Sequence, residues 1–169
     1  MESPSICPGC GLRSERQETV RDPEPGASAQ CLAIKDELSF HTLGHGGTYF
    51  IHQLLVDAYA AQHATTASKP ITTAFALIGL FLFAERGFSG KEVQRAHMAL
   101  ARRSRTWPRF QPPESRGTLT VADVLAVPPG EGRDAMLERW AKSVWLAWSK
   151  DHGRVAGLAA LLPRAPSPR

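Results

Sequence analysis

Apolar residues along this chain recur at three- and four-residue intervals, and no strand-length run alternates apolar with polar positions. The pattern begins late. Residues 1–27 carry little hydrophobic period, and the charged, proline-containing stretch 13–26 reads as a loop. Ser28 suits the N-cap of a first helix over about 29–41, with Cys31, Ile34, Leu38 and His41 on one stripe. Glycines at 44, 46 and 47 break that helix, and Thr48 restarts the chain. A second helix is predicted over 49–63, with Ile51, Leu54, Leu55, Ala58 and Gln62 on one side. Pro70 fits the first position of a third helix, 71–86, which is apolar nearly all round and therefore suits the centre of a bundle.

Gly87 ends the third helix and Ser89 caps a polar fourth one, 91–103. After a loop bearing Pro108, Pro112, Pro113 and Gly117, Thr120 can cap a short helix through Leu125, closed by Pro128 and Pro129. The last long helix is predicted over 133–151, with Leu137, Ala141, Val144 and Trp148 on one face and Trp140 and Trp145 beside it. Gly153 is the expected break before a short apolar helix reaching Leu162. The expected class is all-α: a single-domain helical bundle of about five to six helices with an N-terminal zinc knuckle. Its expected parts are the knuckle segment and loop at 1–28, the bundle at 29–162 and a flexible tail at 163–169.

Composition narrows the function classes. The 169 residues are 43% hydrophobic, enough for a real core. A net charge of +4 falls well short of a dedicated nucleic-acid binder or a polybasic membrane binder. The longest apolar run, 71–84, is too short to span a bilayer, so no membrane partner is expected. Nothing at the start reads as a secretory leader, and the expected location is the cytoplasm.

The three cysteines do not suggest a disulfide framework. Cys7-Pro-Gly-Cys10-Gly11 has the shape of a zinc knuckle, in which a glycine after the second cysteine lets backbone amides turn toward both sulfurs. Structural zinc wants four ligands. Cys31 is the natural third, at the third position of the first helix, where unpaired amides and the helix dipole favour a thiolate. If the first two helices form a hairpin folded near residue 45, roughly residue 60 lies level with Cys31. His63 is then offset by about 4.5 Å along the axis and His52 by about 12 Å. The expected site is Cys7, Cys10, Cys31 and His63, a closed structural Cys3His zinc site, with His52 as the alternative fourth ligand.

These residues carry a resemblance. The knuckle, Cys31 opening a helix, the segment His52-Gln-Leu-Leu-Val-Asp57-Ala-Tyr59-Ala-Ala-Gln62-His63, Leu119-Thr-Val-Ala-Asp123-Val124 and Trp140-Ala-Lys-Ser-Val-Trp145-Leu-Ala-Trp148 together resemble DUF5946, a family of bacterial proteins of unknown function. The chain departs from the family pattern at Ala64, where proline is usual, and over the glycine-rich stretch 41–47. The resemblance implies metal ligands at Cys7, Cys10, Cys31, His52 and His63, and supplies no reaction.

Three other groupings suggest different functions. His41, His45 and His52, joined by Asp57 or His152, would make an open metal site and hence a metal-dependent enzyme if they converged. Arg102, Arg103, Arg105 and Arg109 with Trp107 and Phe110 have the composition of a phosphate-backbone binder, though basic residues also suit the C-terminal end of a helix. Trp140, Trp145, Trp148 and Tyr59 could line a small-molecule pocket, but aromatics at helical spacing are the ordinary material of a core. The glycines at 44, 46 and 47 lack the strand, helix and lysine of a phosphate loop. Cys7 and Cys10 lack the strand-then-helix setting of a redox pair.

Overall fold

The third helix is the axis on which four of the other helices pack. The computed structural model describes residues 4–15, 24–44 and 49–163. Among these are seven α-helices: α1 (Ala29–Gly44), α2 (His52–Gln62), α3 (Pro70–Arg86), α4 (Gly90–Arg103), α5 (Val121–Ala126), α6 (Glu131–Ala147) and α7 (His152–Ala159). Helix α3 touches α2, α4, α6 and α7, and Thr73, Ala74 and the run from Ala76 to Leu82 are buried in it. A helix apolar on every side has nowhere else to go. Gly87, at φ +68°, turns the chain out of it, with the Gly87 and Phe88 amides donating to the Phe83 and Leu82 carbonyls. The predicted caps are present. The Ser89 amide donates to Glu92 Oε2 at 2.7 Å, and the Thr120 amide donates to Asp123 Oδ2 at 2.7 Å.

The structure is all-α, apart from an antiparallel pair of two-residue strands, β1 (Ser5–Ile6) and β2 (Arg13–Ser14), that flanks the knuckle. Strands this short leave no alternation to read. Helix α2 starts at His52 rather than at residue 49, because Tyr49 and Phe50 belong to another contact. Phe50 has φ +46°, a conformation that bulky residues rarely take. The Tyr49 carbonyl accepts the Gly90 amide at 2.7 Å, and a Cβ on Gly90 would collide with the Phe50 carbonyl. The break before the last helix falls at Trp148, not at Gly153, which lies inside α7. Trp148 is 1% exposed and its indole N–H reaches the Ala61 carbonyl at 3.3 Å, so packing fixes the break and a 3-10 turn (Ser149–Asp151) follows. His45, Thr48, the glycines at 46 and 47, part of the predicted 13–26 loop and residues 164–169 of the predicted tail lie outside the described residues.

Gln62, fully buried, closes α2. Its Oε1 accepts the Trp140 indole N–H at 2.9 Å, and its Nε2 donates to the Leu119 and Arg116 carbonyls at 2.8 and 3.0 Å. Arg116 returns the contact, donating to the Ala64 and Gln62 carbonyls at 2.8 and 3.1 Å. A buried amide with each end satisfied fixes one register between α2, α6 and the segment before α5.

Asp57 is a buried polar group on another side of α2, 4% exposed and facing α3 at Gly79, where a Cβ would collide with its carboxylate. Burial raises its pKa well above the ordinary carboxylate range, against a smaller lowering from Gln53 Nε2, which donates to Oδ1 at 3.0 Å. A raised folded-state pKa means that the unfolded chain loses this proton first, so stability falls as pH rises above about 4. Asp57→Asn should therefore gain on the parent as pH rises from 4 in urea unfolding. A constant difference between the two proteins would show that Asp57 does not titrate this way.

Candidate metal centre

The knuckle forms because three backbone features coincide. The Cys7 amide donates to the Leu12 carbonyl at 2.9 Å, the Gly11 amide donates to the Cys7 carbonyl at 2.9 Å, and Gly11 takes φ +73°. β1 and β2 hold the two ends of this turn together. Cys31 arrives from α1, whose first turn is fixed by the Ser28 hydroxyl accepting the Cys31 amide at 3.2 Å. His63 closes α2, its amide bound to the Tyr59 carbonyl at 3.0 Å.

The four side chains meet. Cys7 Sγ, Cys10 Sγ, Cys31 Sγ and one ring nitrogen of His63 all lie within 4.8 Å of one another. Cys10 Sγ is 3.7 Å from Cys31 Sγ, and Cys31 Sγ is 3.3 Å from His63 Nε2. A tetrahedral ion with Zn–S of about 2.3 Å and Zn–N of about 2.0 Å separates its ligand atoms by about 3.8 Å (S to S) and about 3.5 Å (S to N). The observed spacings fit such a set.

The imidazole is prepared for this role. His63 Nδ1 lies 2.8 Å from the Tyr59 carbonyl, which can only accept, so Nδ1 carries the proton and the Nε2 lone pair faces the sulfurs. The Tyr59 ring stacks on the His63 ring at 3.9 Å, and its hydroxyl donates to Cys31 Sγ at 3.6 Å. Two glycines make room. A Cβ on Gly9 would strike the Gly26 carbonyl and the His63 ring, and one on Gly26 would strike the His63 carbonyl. Gly26 sits in a turn closed by reciprocal Glu24–Ala27 backbone bonds of 3.0 and 3.1 Å. Tyr59, Gly9, Gly26 and Gln62 were not among the expected site residues. Tyr59 was within reach of sequence reasoning, since a residue four before His63 lies on the same helix face. The glycines' role depends on chain segments distant in sequence.

The three thiols influence one another's ionisation. Hydrogen bonds from Cys10 and Cys31 hold the Cys7 thiol far below its ordinary value, making it the first thiolate. The Cys31 contact pulls Cys10 down, but Cys7 and burial outweigh it and push Cys10 up to about 11. Hydrogen bonds to Cys10 and Cys7, with burial, raise Cys31 far above the usual thiol range. Without a positive charge, one thiolate blocks the next two.

The structure separates His52 from the cluster. His52 Nδ1 lies 2.9 Å from Thr42 Oγ1, whose own proton goes to the Leu38 or Ser39 carbonyl, and the His52 ring meets Phe50 edge-on. Burial first, and the Lys35 charge second, lower the His52 pKa. His152 stacks on Trp145 at 3.8 Å and donates from Nε2 to the Trp145 carbonyl at 2.8 Å. His41, His52, Asp57 and His152 form no metal-holding group among the described residues, and His45 lies outside them. Trp140 and Trp148 are core, with indoles spent on Gln62 and Ala61, while the Trp145 indole donates to Glu85 Oε1 at 2.9 Å.

Two outcomes follow from this geometry. His63→Ala should lose most of its bound metal while His52→Ala keeps it, as read by elemental analysis of purified protein; the reverse would place the fourth ligand at His52. Loading the metal-free protein near neutral pH should release protons from the thiols, with affinity falling as pH is lowered. Affinity independent of pH between 5 and 8 would exclude thiolate ligation.

No curated protein and no solved structure matches the chain significantly. The family described as "Family of unknown function (DUF5946)" matches residues 5–149, and the chain, knuckle and helices together, belongs to that family.

Proposed function

We propose that Cys7, Cys10, Cys31 and His63 hold one zinc ion in a closed structural site that fastens the N-terminal segment to α1 and α2. The observation that carries this reading is the donor set itself: three sulfurs and one imidazole nitrogen within 4.8 Å of one another, with Cys7, Cys31 and His63 buried and Cys10 partly so. A sulfur-rich set of four favours zinc over harder cations, and four protein ligands leave no position for substrate or water. Three thiolates and a dication leave one net negative charge, and Lys35 Nζ stands 5.6 Å from the centre of the Tyr59 ring that covers the site. Thiols grouped as a metal set suit a reducing compartment, so we assign the protein to the cytoplasm.

A structural ion contributes folding free energy directly. Elemental analysis should find about one zinc per chain. Cys7→Ser or chelation should cost several kcal/mol, lowering Tm by about 10 °C or more in a chain of this size, with recovery of the chelated protein on adding zinc. Metal loss with an unchanged Tm would refute the structural role.

A further inference from the structure

The face of the molecule beside the zinc ligands carries a second chemically distinct feature. A cleft of about 240 Å³ opens between the start of α3, the segment 109–111 and the start of α7, lined by Thr65, Thr66, Ser68, Thr73, Arg109 and Arg154, among others. We propose that this cleft binds the phosphoryl group of a small phosphorylated molecule that also bears a hydroxyl or amino group.

Both guanidiniums are positioned before any ligand arrives. Arg109 donates to the Thr66 carbonyl at 3.4 Å, which uses one of its five N–H groups. Arg154 lies 4.5 Å over the centre of the buried Phe110 ring, itself a lining residue, and stacking on a ring face leaves the guanidinium edges available. Two such forks on one small cavity match the tetrahedral oxygens of a phosphate. The remaining wall adds hydroxyl donors. Thr73 reaches the cavity although only 5% of it is exposed, and Pro70 places the start of a long helix, with its partial positive charge, at the same edge.

Asp151 also lines the cleft, its Oδ1 3.9 Å from Arg154. It reduces the net charge of the wall and cannot approach a bare oxyanion. A carboxylate beside two guanidiniums is instead an acceptor for a donor carried by the same ligand, which gives the ligand class its second group. The cavity lies below the roughly 300 Å³ at which drug-sized sites begin, so it suits a small metabolite. The surface strip containing Arg102 and Arg105 lines a separate, shallower cleft with Trp107 and is the alternative source of anion binding.

The test is calorimetric titration of the full-length, zinc-loaded protein with inorganic phosphate, glycerol 3-phosphate and a short oligothymidylate. The proposal expects saturable binding of the first two, weakened about tenfold or more by Arg109→Gln or Arg154→Gln. Thr73→Val should weaken it severalfold. Asp151→Asn should tighten inorganic phosphate while erasing the preference for glycerol 3-phosphate, a readout independent of whether either arginine variant folds. Absence of saturable phosphate binding would overturn the proposal, as would binding indifferent to all four substitutions. So would phosphate and oligothymidylate binding that are both lost in Arg102→Gln and Arg105→Gln and unaffected by the cleft substitutions.

Discussion

Three sulfurs and an imidazole nitrogen gathered within 4.8 Å form an arrangement that could hold a metal ion. The first thiolate, Cys7, opposes ionisation of Cys10 and Cys31, and burial opposes it further. A bound dication would offset both costs, since it would convert mutual repulsion into shared attraction. The N-terminal part of the structure depends on this constraint. The two-residue strands and the Pro25–Gly26 turn bury little apolar surface of their own, and they sit where they do because Cys7, Cys10 and Gly26 converge on His63.

The connection from that site to the bundle runs through two consecutive residues. Gln62 and His63 end α2 on opposite sides of the chain. Gln62 turns inward to Trp140 and to the carbonyls of Arg116 and Leu119, while His63 turns to Cys31. The amide fixes the end of the helix against α6, and a fixed helix end presents the imidazole at a fixed height. Tyr59, one turn earlier, completes the arrangement by taking the His63 Nδ1 proton on its carbonyl and covering the ring with its own. Tyr59, Gln62 and His63 thus form one mechanical unit, which links the stability of the bundle to the geometry of the sulfur cluster.

Much of this was legible in the residues. Helix periods, the caps at Ser28, Ser89 and Thr120, the proline opening α3 and the glycine closing it act within one or two turns of chain, so local chemistry suffices to read them. The juxtaposition of Cys31 with His63 was also within reach, because two helices joined by a short connection must run side by side and axial rise then sets the offset. The breaks were less legible. Gly153 looked like the end of the last long helix, yet the turn falls at Trp148, where a buried indole tied to Ala61 outweighs the local preference of a glycine.

What the sequence determined by itself was the all-α class, the bundle-centre character of α3, and the choice of Cys7, Cys10, Cys31 and His63 as the side chains that could hold a metal, since each follows from spacing or from the chemistry of the side chain. The tertiary structure decided that His52 turns to Thr42 instead of the sulfurs, that Gly9 leaves space for the His63 ring and Gly26 for the His63 carbonyl, and that Arg109 and Arg154 share a cavity. Each of these is a meeting of segments far apart in the chain. Such meetings are set by how whole helices pack, and no local propensity encodes the distance between two side chains that only packing brings together.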